Sequence, residues 1–135
     1  MTLAAAAFLL GRVLFGIYFV LAGVSHFRQA DTLAGYAAHA GIPAAKLGVL
    51  GSGALMCAGG LSVILGLWVQ LGALALILFL VPAAFTMHKY WALPDPGQRQ
   101  AQSLNFQRNL ALTGAALVLF YFAAHPESWV YAIKP

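Results

Sequence analysis

Apolar residues run almost unbroken through four stretches, Leu3 to Val24, Leu47 to Leu67, Leu71 to Met87 and Leu104 to Ala124, with polar residues gathered between them. Runs of about 20 apolar residues match the hydrocarbon thickness of a bilayer. An isolated strand cannot satisfy its backbone polar groups there, so each run is predicted to be a helix. The third run, 17 residues long, is the shortest that reaches across, and Pro82 is expected to kink it near its end. The fourth is purely apolar only from Leu110, so its helix is expected to begin near Leu104 and to place Asn105, Arg108 and Asn109 at the mouth of a bundle.

The connections differ in length. WVQ, between the second and third runs, reads as a tight hairpin, whereas Ser25 to Lys46 and His88 to Ser103 are long. Within the first long connection, DTLAGYAAHAGIP offers Asp31 as an N-cap. Leu33, Tyr36, Ala37 and Ala40 then share one face, and Gly41 and Pro43 form a stop. This predicts a short helix lying at the membrane interface. The second, WALPDPGQRQAQS, has no periodicity and reads as a loop. The expected fold is all-α: a single domain over residues 1–135, an integral membrane four-helix bundle with a short interfacial helix in its first long loop.

Composition sharpens the setting. With 62% hydrophobic and 7% charged residues, the chain has too few charges to cover a soluble surface, and 135 residues leave no room for a separate soluble domain. The net charge of +4 serves orientation in such a chain, so nucleic acid is not an expected partner and the lipid bilayer is. Arg28, Lys46, Lys89, Arg99 and Arg108 belong to the long loops and only Lys134 to the other side. The long loops are therefore expected in the cytoplasm and both termini outside. No basic region precedes the first run, which reads as a retained span and not a cleaved signal. Cys57 is the only cysteine, which excludes an intramolecular disulfide and CxxC exchange chemistry.

Polar residues inside the runs carry the candidate chemistry. Arg12, Gly16, Phe19, Gly23 and His26 follow a 4,3,4,3 spacing and share one helix face, so Arg12 is expected to point inward, two to three turns below His26. Gly48, Ser52, Gly59, Ser62 and Gly66 form a small-residue face on the second run, the expected packing partner. Antiparallel neighbours would gather His26, Lys46, His88, Lys89, Trp91, Arg108 and Asn109 at one mouth. The expectation is a funnel floored by Arg12 and walled by Phe15, Phe19, Phe85 and Tyr36, suited to a flat or anionic organic molecule.

Simpler roles stand beside these. Arg12 can bridge carbonyl oxygens to lock the bundle, although no acidic residue lies in any span to pair with it. Lys89 and Arg108 fit snorkelling anchors, and Trp68, Trp91 and Trp129 fit interface belts. His26 and His88 are a conceivable haem or metal pair, but neither has a carboxylate near it in sequence and both lie toward the membrane edge, so haem is disfavoured and no metal site is expected. Asp31, Asp95 and Glu127 all fall outside the runs, which excludes a carboxylate pair or triad within the bundle.

The segments LLGRVLFGIYFVLAGVSHF, HAGIP, AGGLSVILGL, FTMHKYW and FQRNLALTGAAL, in this order and spacing from Leu10 to Leu119, resemble the DoxX family of small four-helix bacterial membrane proteins. The resemblance implies a bundle in the bacterial inner membrane. Relatives are linked to a thiosulfate:quinone oxidoreductase subunit and to complexes handling oxidative and thiol stress. Arg12, His88, Trp91 and Asn109 match the family's recurrent polar positions. Met56 stands where many members have a glutamate, and His26 where a lysine is common; without the acid, no proton-coupled mechanism carries over.

The function expected first is an integral membrane subunit of a quinone-linked or redox-stress oxidoreductase system. A small apolar or anionic molecule would bind to Arg12, Phe19, His26, His88, Trp91, Arg108 and Asn109. A quinone is the cofactor this implies, with electrons from a redox partner subunit, because the chain carries no nucleotide or flavin motif. Two alternatives stay open: a small-molecule carrier or exporter acting as a homo-oligomer, and a structural or assembly subunit without chemistry of its own.

Overall fold

A computed structural model describes residues 1–125 and 127. Trp129 and Lys134, expected as an interface residue and an orientation charge, lie outside the described residues. Helix α1 spans Leu3–Arg28, and its first turn is capped by Thr2, whose hydroxyl accepts the Ala5 N–H at 3.1 Å. A short helix α2, Ala30–His39, follows, then α3, Ala45–Leu65, and α4, Val69–Met87. A 3-10 turn at Tyr90–Ala92 leads to α5, Pro96–Ala123. The segments Leu3–Arg28, Ala45–Leu65 and Val69–Ala92 are long and apolar enough to cross a membrane. Helix α5 is the fourth long helix, but its first half carries Gln, Arg and Asn side chains.

The helices pack in series: α1 against α3, α3 against α4 and α4 against α5, with α2 beside α3. On α1 the buried residues are Arg12, Gly16, Phe19 and Gly23, the face that the spacing predicted. Glycine makes the first two seams possible. A methyl group on Gly16 would sit 2.6 Å from the Gly60 carbonyl oxygen, and one on Gly23 would sit 2.7 Å from that of Gly53. Between α3 and α4, a methyl on Gly59 would meet the Gly72 carbonyl at 2.8 Å. Such close approach gains dispersion contacts between backbones, which matters where lipid supplies no hydrophobic drive to associate. Phe19, Met56, Val63, Val69, Leu76 and Leu80 fill the space between the helices, with Phe8, Phe15, Leu112 and Leu119 packed around them.

Several expectations are corrected. The buried face of α3 is Val49, Gly53, Met56, Gly59, Gly60 and Val63; of the small residues expected to form it, only Gly59 is buried. The tight turn is Gly66 to Trp68, and WVQ contributes only its first residue, because α4 already begins at Val69. Ser62 helps close this turn by donating to the Leu67 carbonyl at 2.5 Å. Asp31 does not cap α2: the N-cap is Gln29, without a side-chain cap, and Asp31 sits inside the first turn, 2.8 Å from the Lys46 ammonium. Gly41, at φ 83°, takes the left-handed conformation that ends α2, as its expected stop requires.

The largest correction concerns Pro94 to Ser103. Expected to be a loop, most of it is the first two turns of α5, which starts at Pro96 and not near Leu104. Asp95 is the N-cap, its carboxylate accepting the Gln98 N–H at 2.8 Å, and Pro96 occupies the first helical position, where a missing N–H costs nothing. Arg99 then reaches back to donate from Nε and Nη2 to the Leu93 carbonyl, at 3.0 and 2.8 Å, fixing the entry of the chain.

Candidate functional site

Where α1 and α4 end and α3 and α5 begin, hereafter the loop end, α3 and α4 leave space between them. A cavity of about 540 Å³ occupies it, bounded by α2, the first half of α3 and the last ten residues of α4. Leu33 and Ala37 of α2, Val49 and Leu55 of α3, and Phe79 and Met87 of α4 make most of the wall apolar, and His26, Ser52, Thr86 and His88 supply the polar side chains. Its size and its few polar groups within an apolar lining are those of small-molecule sites.

His26 enters from the last turns of α1. Its Nδ1 lies 2.8 Å from Ser52 Oγ and 3.3 Å from the Val49 carbonyl oxygen, and Ser52 Oγ in turn donates to that carbonyl at 2.9 Å. A carbonyl only accepts, and the Ser52 proton is already directed at Val49, so Nδ1 of His26 carries the hydrogen. In the neutral ring Nε2 is then a bare acceptor. Phe79 meets the imidazole edge to face, with centroids 5.8 Å apart, which sets His26 level with the middle of α4.

His88 closes the other end of the cavity. It stands just past α4, and its Nδ1 lies 2.7 Å from Oε1 of Gln102, which also receives Asn105 Nδ2 at 3.5 Å. An amide oxygen accepts, so this Nδ1 also carries its hydrogen and Nε2 is again the acceptor in the neutral ring. His88 is nine residues beyond Phe79, so the two imidazoles are offset along the bundle by about 13 Å of helical rise. Pro82 lies between these levels on the cavity-lining side of α4. It has no N–H, so the Leu78 carbonyl, four residues earlier and also in the wall, loses its helical donor. Thr86 donates to the Pro82 carbonyl at 2.7 Å and steadies the turn beyond.

Of the seven residues singled out in the sequence, the cavity wall includes His26 and His88. Arg12 is buried, 2% exposed, and engaged within the fold, but it is far from this space. Gly16 packs on Gly60 and Ile64, so Arg12, one turn further on, is level with the end of α3 at the opposite, hairpin end. Fourteen residues separate Arg12 from His26, about 21 Å of rise and nearly four turns, where two to three were expected. Phe19 is fully buried in the core between Phe15 and Tyr18, with ring centroids at 4.9 and 5.1 Å. Asn109 is buried on α5 and its carbonyl accepts from Thr113 Oγ1 at 2.7 Å. It lies two turns inward of Gln102, about 10 Å by rise, because α5 starts earlier than expected. Arg108 is exposed.

Trp91 is 52% exposed and belongs to a separate cluster with Tyr90, Phe85 and Phe106, in which neighbouring rings meet edge to face at 5.2 to 5.6 Å. Phe85 is therefore committed to that cluster, and Tyr36 projects outward, so neither walls the cavity. Ser52, Pro82 and Gln102 are the site residues that sequence reasoning missed. In the sequence Ser52 sits on a face of packing residues and Gln102 in a stretch that reads as a loop; the signal available for Pro82 is its position inside an apolar run that His88 follows. Among the described residues no group of three His, Cys, Asp or Glu is placed to hold a metal ion.

No match was found among curated proteins or among solved structures. A family model described as DoxX matches residues 7–89, from the second turn of α1 to Lys89, just past the end of α4, more than half of the chain. The chain therefore belongs to the DoxX family.

Proposed function

We propose that this chain is a membrane subunit of a quinone-linked redox system and that its cavity holds a small lipid-soluble ring molecule of the quinone class. The observation that carries this reading is the cavity itself: about 540 Å³ of mostly apolar space with a histidine toward each end. A flat ring packs on Leu55, Phe79 and Met87 while oxygens at its edge meet the imidazoles. Leu78 and Pro82 belong both to the wall and to the outward-facing surface of α4, so such a molecule reaches the cavity from the lipid. Electrons come from a partner subunit, and this chain binds and orients the ring. Arg12, at the other end, braces the helices and does not touch the ligand.

The test is a titration of purified protein in detergent with duroquinone and, anaerobically, with its reduced form. Saturable binding of at least one form is expected. Ala37→Phe and Ala83→Phe, which place a ring in the cavity from α2 and from α4, are each expected to weaken it at least about tenfold with helical content unchanged. Absence of saturable binding of both forms, or binding that neither substitution alters, overturns the reading.

A further inference from the structure

The polar groups of the cavity wall are one-sided in their hydrogen bonding. His26 spends its Nδ1–H on Ser52 and Val49, and His88 spends its Nδ1–H on Gln102. In each neutral ring the remaining nitrogen, Nε2, can only accept. Ser52 Oγ directs its proton at the Val49 carbonyl and Thr86 Oγ1 directs its own at the Pro82 carbonyl. Every side-chain donor in the wall is thus already used on the protein itself. The backbone adds a further acceptor, since Pro82 leaves the Leu78 carbonyl without its helical N–H. A cavity of this kind presents lone pairs and no spare hydrogens.

We propose that the cavity selects the hydrogen-bond-donating, reduced form of its ligand: a lipid-soluble aromatic diol, the quinol in preference to the quinone. This rests on the proposed occupancy of the cavity by a quinone-class ring. A quinone has only carbonyl oxygens, so its entry sets lone pairs against the lone pairs of His26, His88 and Leu78 and leaves all of them unsatisfied in an apolar space. A quinol brings a hydroxyl at each end of the ring. One donates to Nε2 of His26 at the inner end. The other donates to Nε2 of His88, toward the loop end, while the Leu78 carbonyl, near the level of His26, is a second acceptor at the inner end. The offset of the two histidines, about 13 Å of helical rise, leaves length for one ring with a hydrogen bond at each end. The chain is then a holder of the reduced carrier, and the reaction it serves is one that delivers or consumes quinol.

The experiment compares three probes on the unaltered protein, under anaerobic conditions at pH 8. Duroquinol is expected to bind at least about tenfold more tightly than duroquinone, the difference of roughly one well-made hydrogen bond to a buried acceptor. The dimethyl ether of duroquinol keeps the ring and the oxygens but has no hydrogen to give, and is expected to bind no better than the quinone. His26→Phe and Pro82→Ala, which remove an acceptor and return an N–H to Leu78, are each expected to narrow the quinol-to-quinone ratio by about threefold or more. Equal affinity for the two redox forms, tighter quinone binding, or an ether that binds as well as the quinol overturns the selectivity while leaving the occupancy standing. Failure of both redox forms to bind overturns the occupancy and the selectivity together. The comparison of probes needs no substitution, so it stands whether or not either variant folds.

Discussion

The two seams of α3 are built differently. Against α1, α3 is held at two levels, where Gly16 meets Gly60 and Gly23 meets Gly53, so the helices stay close along most of their shared length. Against α4, backbone contact is made at one level, Gly59 with Gly72, near the hairpin, and toward the loop end the two helices admit the cavity. Both seams use the same residue type; what differs is how often it recurs. Two glycine contacts two turns apart fix a direction, whereas one contact leaves a fork that side chains must fill or a ligand can enter. The closed seam gives the bundle its rigidity, and the forked seam holds its acceptor groups.

Substitutions at the glycines test this contrast most strongly. Gly60→Leu drives a side chain into the Gly16 carbonyl and into Val20, and is expected to cost about 3 kcal/mol or to prevent folding, measured by denaturant or thermal unfolding in detergent. Gly51→Leu, on the same helix but with open space where its Cβ would be, is expected to change unfolding by less than about 0.5 kcal/mol. If the two variants lose stability equally, glycine recurrence is not what distinguishes the seams. At an intermediate level, Asp95→Ala removes the N-cap of α5 and is expected to cost about 1 kcal/mol, with faster amide exchange over residues 97–100. Unchanged exchange there would mean that the start of α5 is held by something other than its cap.

The smallest effect concerns α2, which covers the fork. The Lys46 ammonium, by hydrogen bond and by charge, holds the Asp31 carboxyl below its ordinary range, against a minor opposing contribution from desolvation. A lowered folded-state pKa means that the pair contributes above the unfolded carboxylate pKa and that the contribution disappears as pH falls through the lower, folded value. Both groups are exposed, so global stability is expected to be unchanged by Asp31→Asn at pH 7. Protease cleavage between α2 and α3 is expected to quicken in that variant and, in the unaltered protein, at a pH below the carboxylate range. Unchanged cleavage would show that apolar contacts alone hold α2 in place.

The inward face of α1 was legible because it is periodic: Arg12, Gly16, Phe19 and Gly23 recur at helical spacing, and local geometry carries that pattern directly into burial. His26 and His88 were legible as neighbours of one end, since antiparallel helices must bring the close of one run near the close of another two runs later. The start of α5 was hidden because Pro, Asp and Gly together suggest a turn, while the same Asp-Pro pair is also a helix N-cap followed by its first residue. The cavity was hidden for a different reason. It depends on the spacing of contacts between α3 and α4, and a run of glycines does not say which of its members will meet a glycine across the seam. Arg12 is thus legible as an inward residue deeper than His26, but nearly four turns separate the two and the cavity wall does not include it.

The serial packing of α1 on α3, α3 on α4 and α4 on α5 bears on how the protein is made. Each long helix after α1 packs against the long helix synthesised just before it. Among the described residues, each of these seams can therefore close while the ribosome is still extending the chain. The α1–α3 pair would be the first to assemble, offering the later helices a finished surface to dock on. An error in Gly16 or Gly60 would then be felt at birth, by the translocon and its quality control, before α5 has been translated.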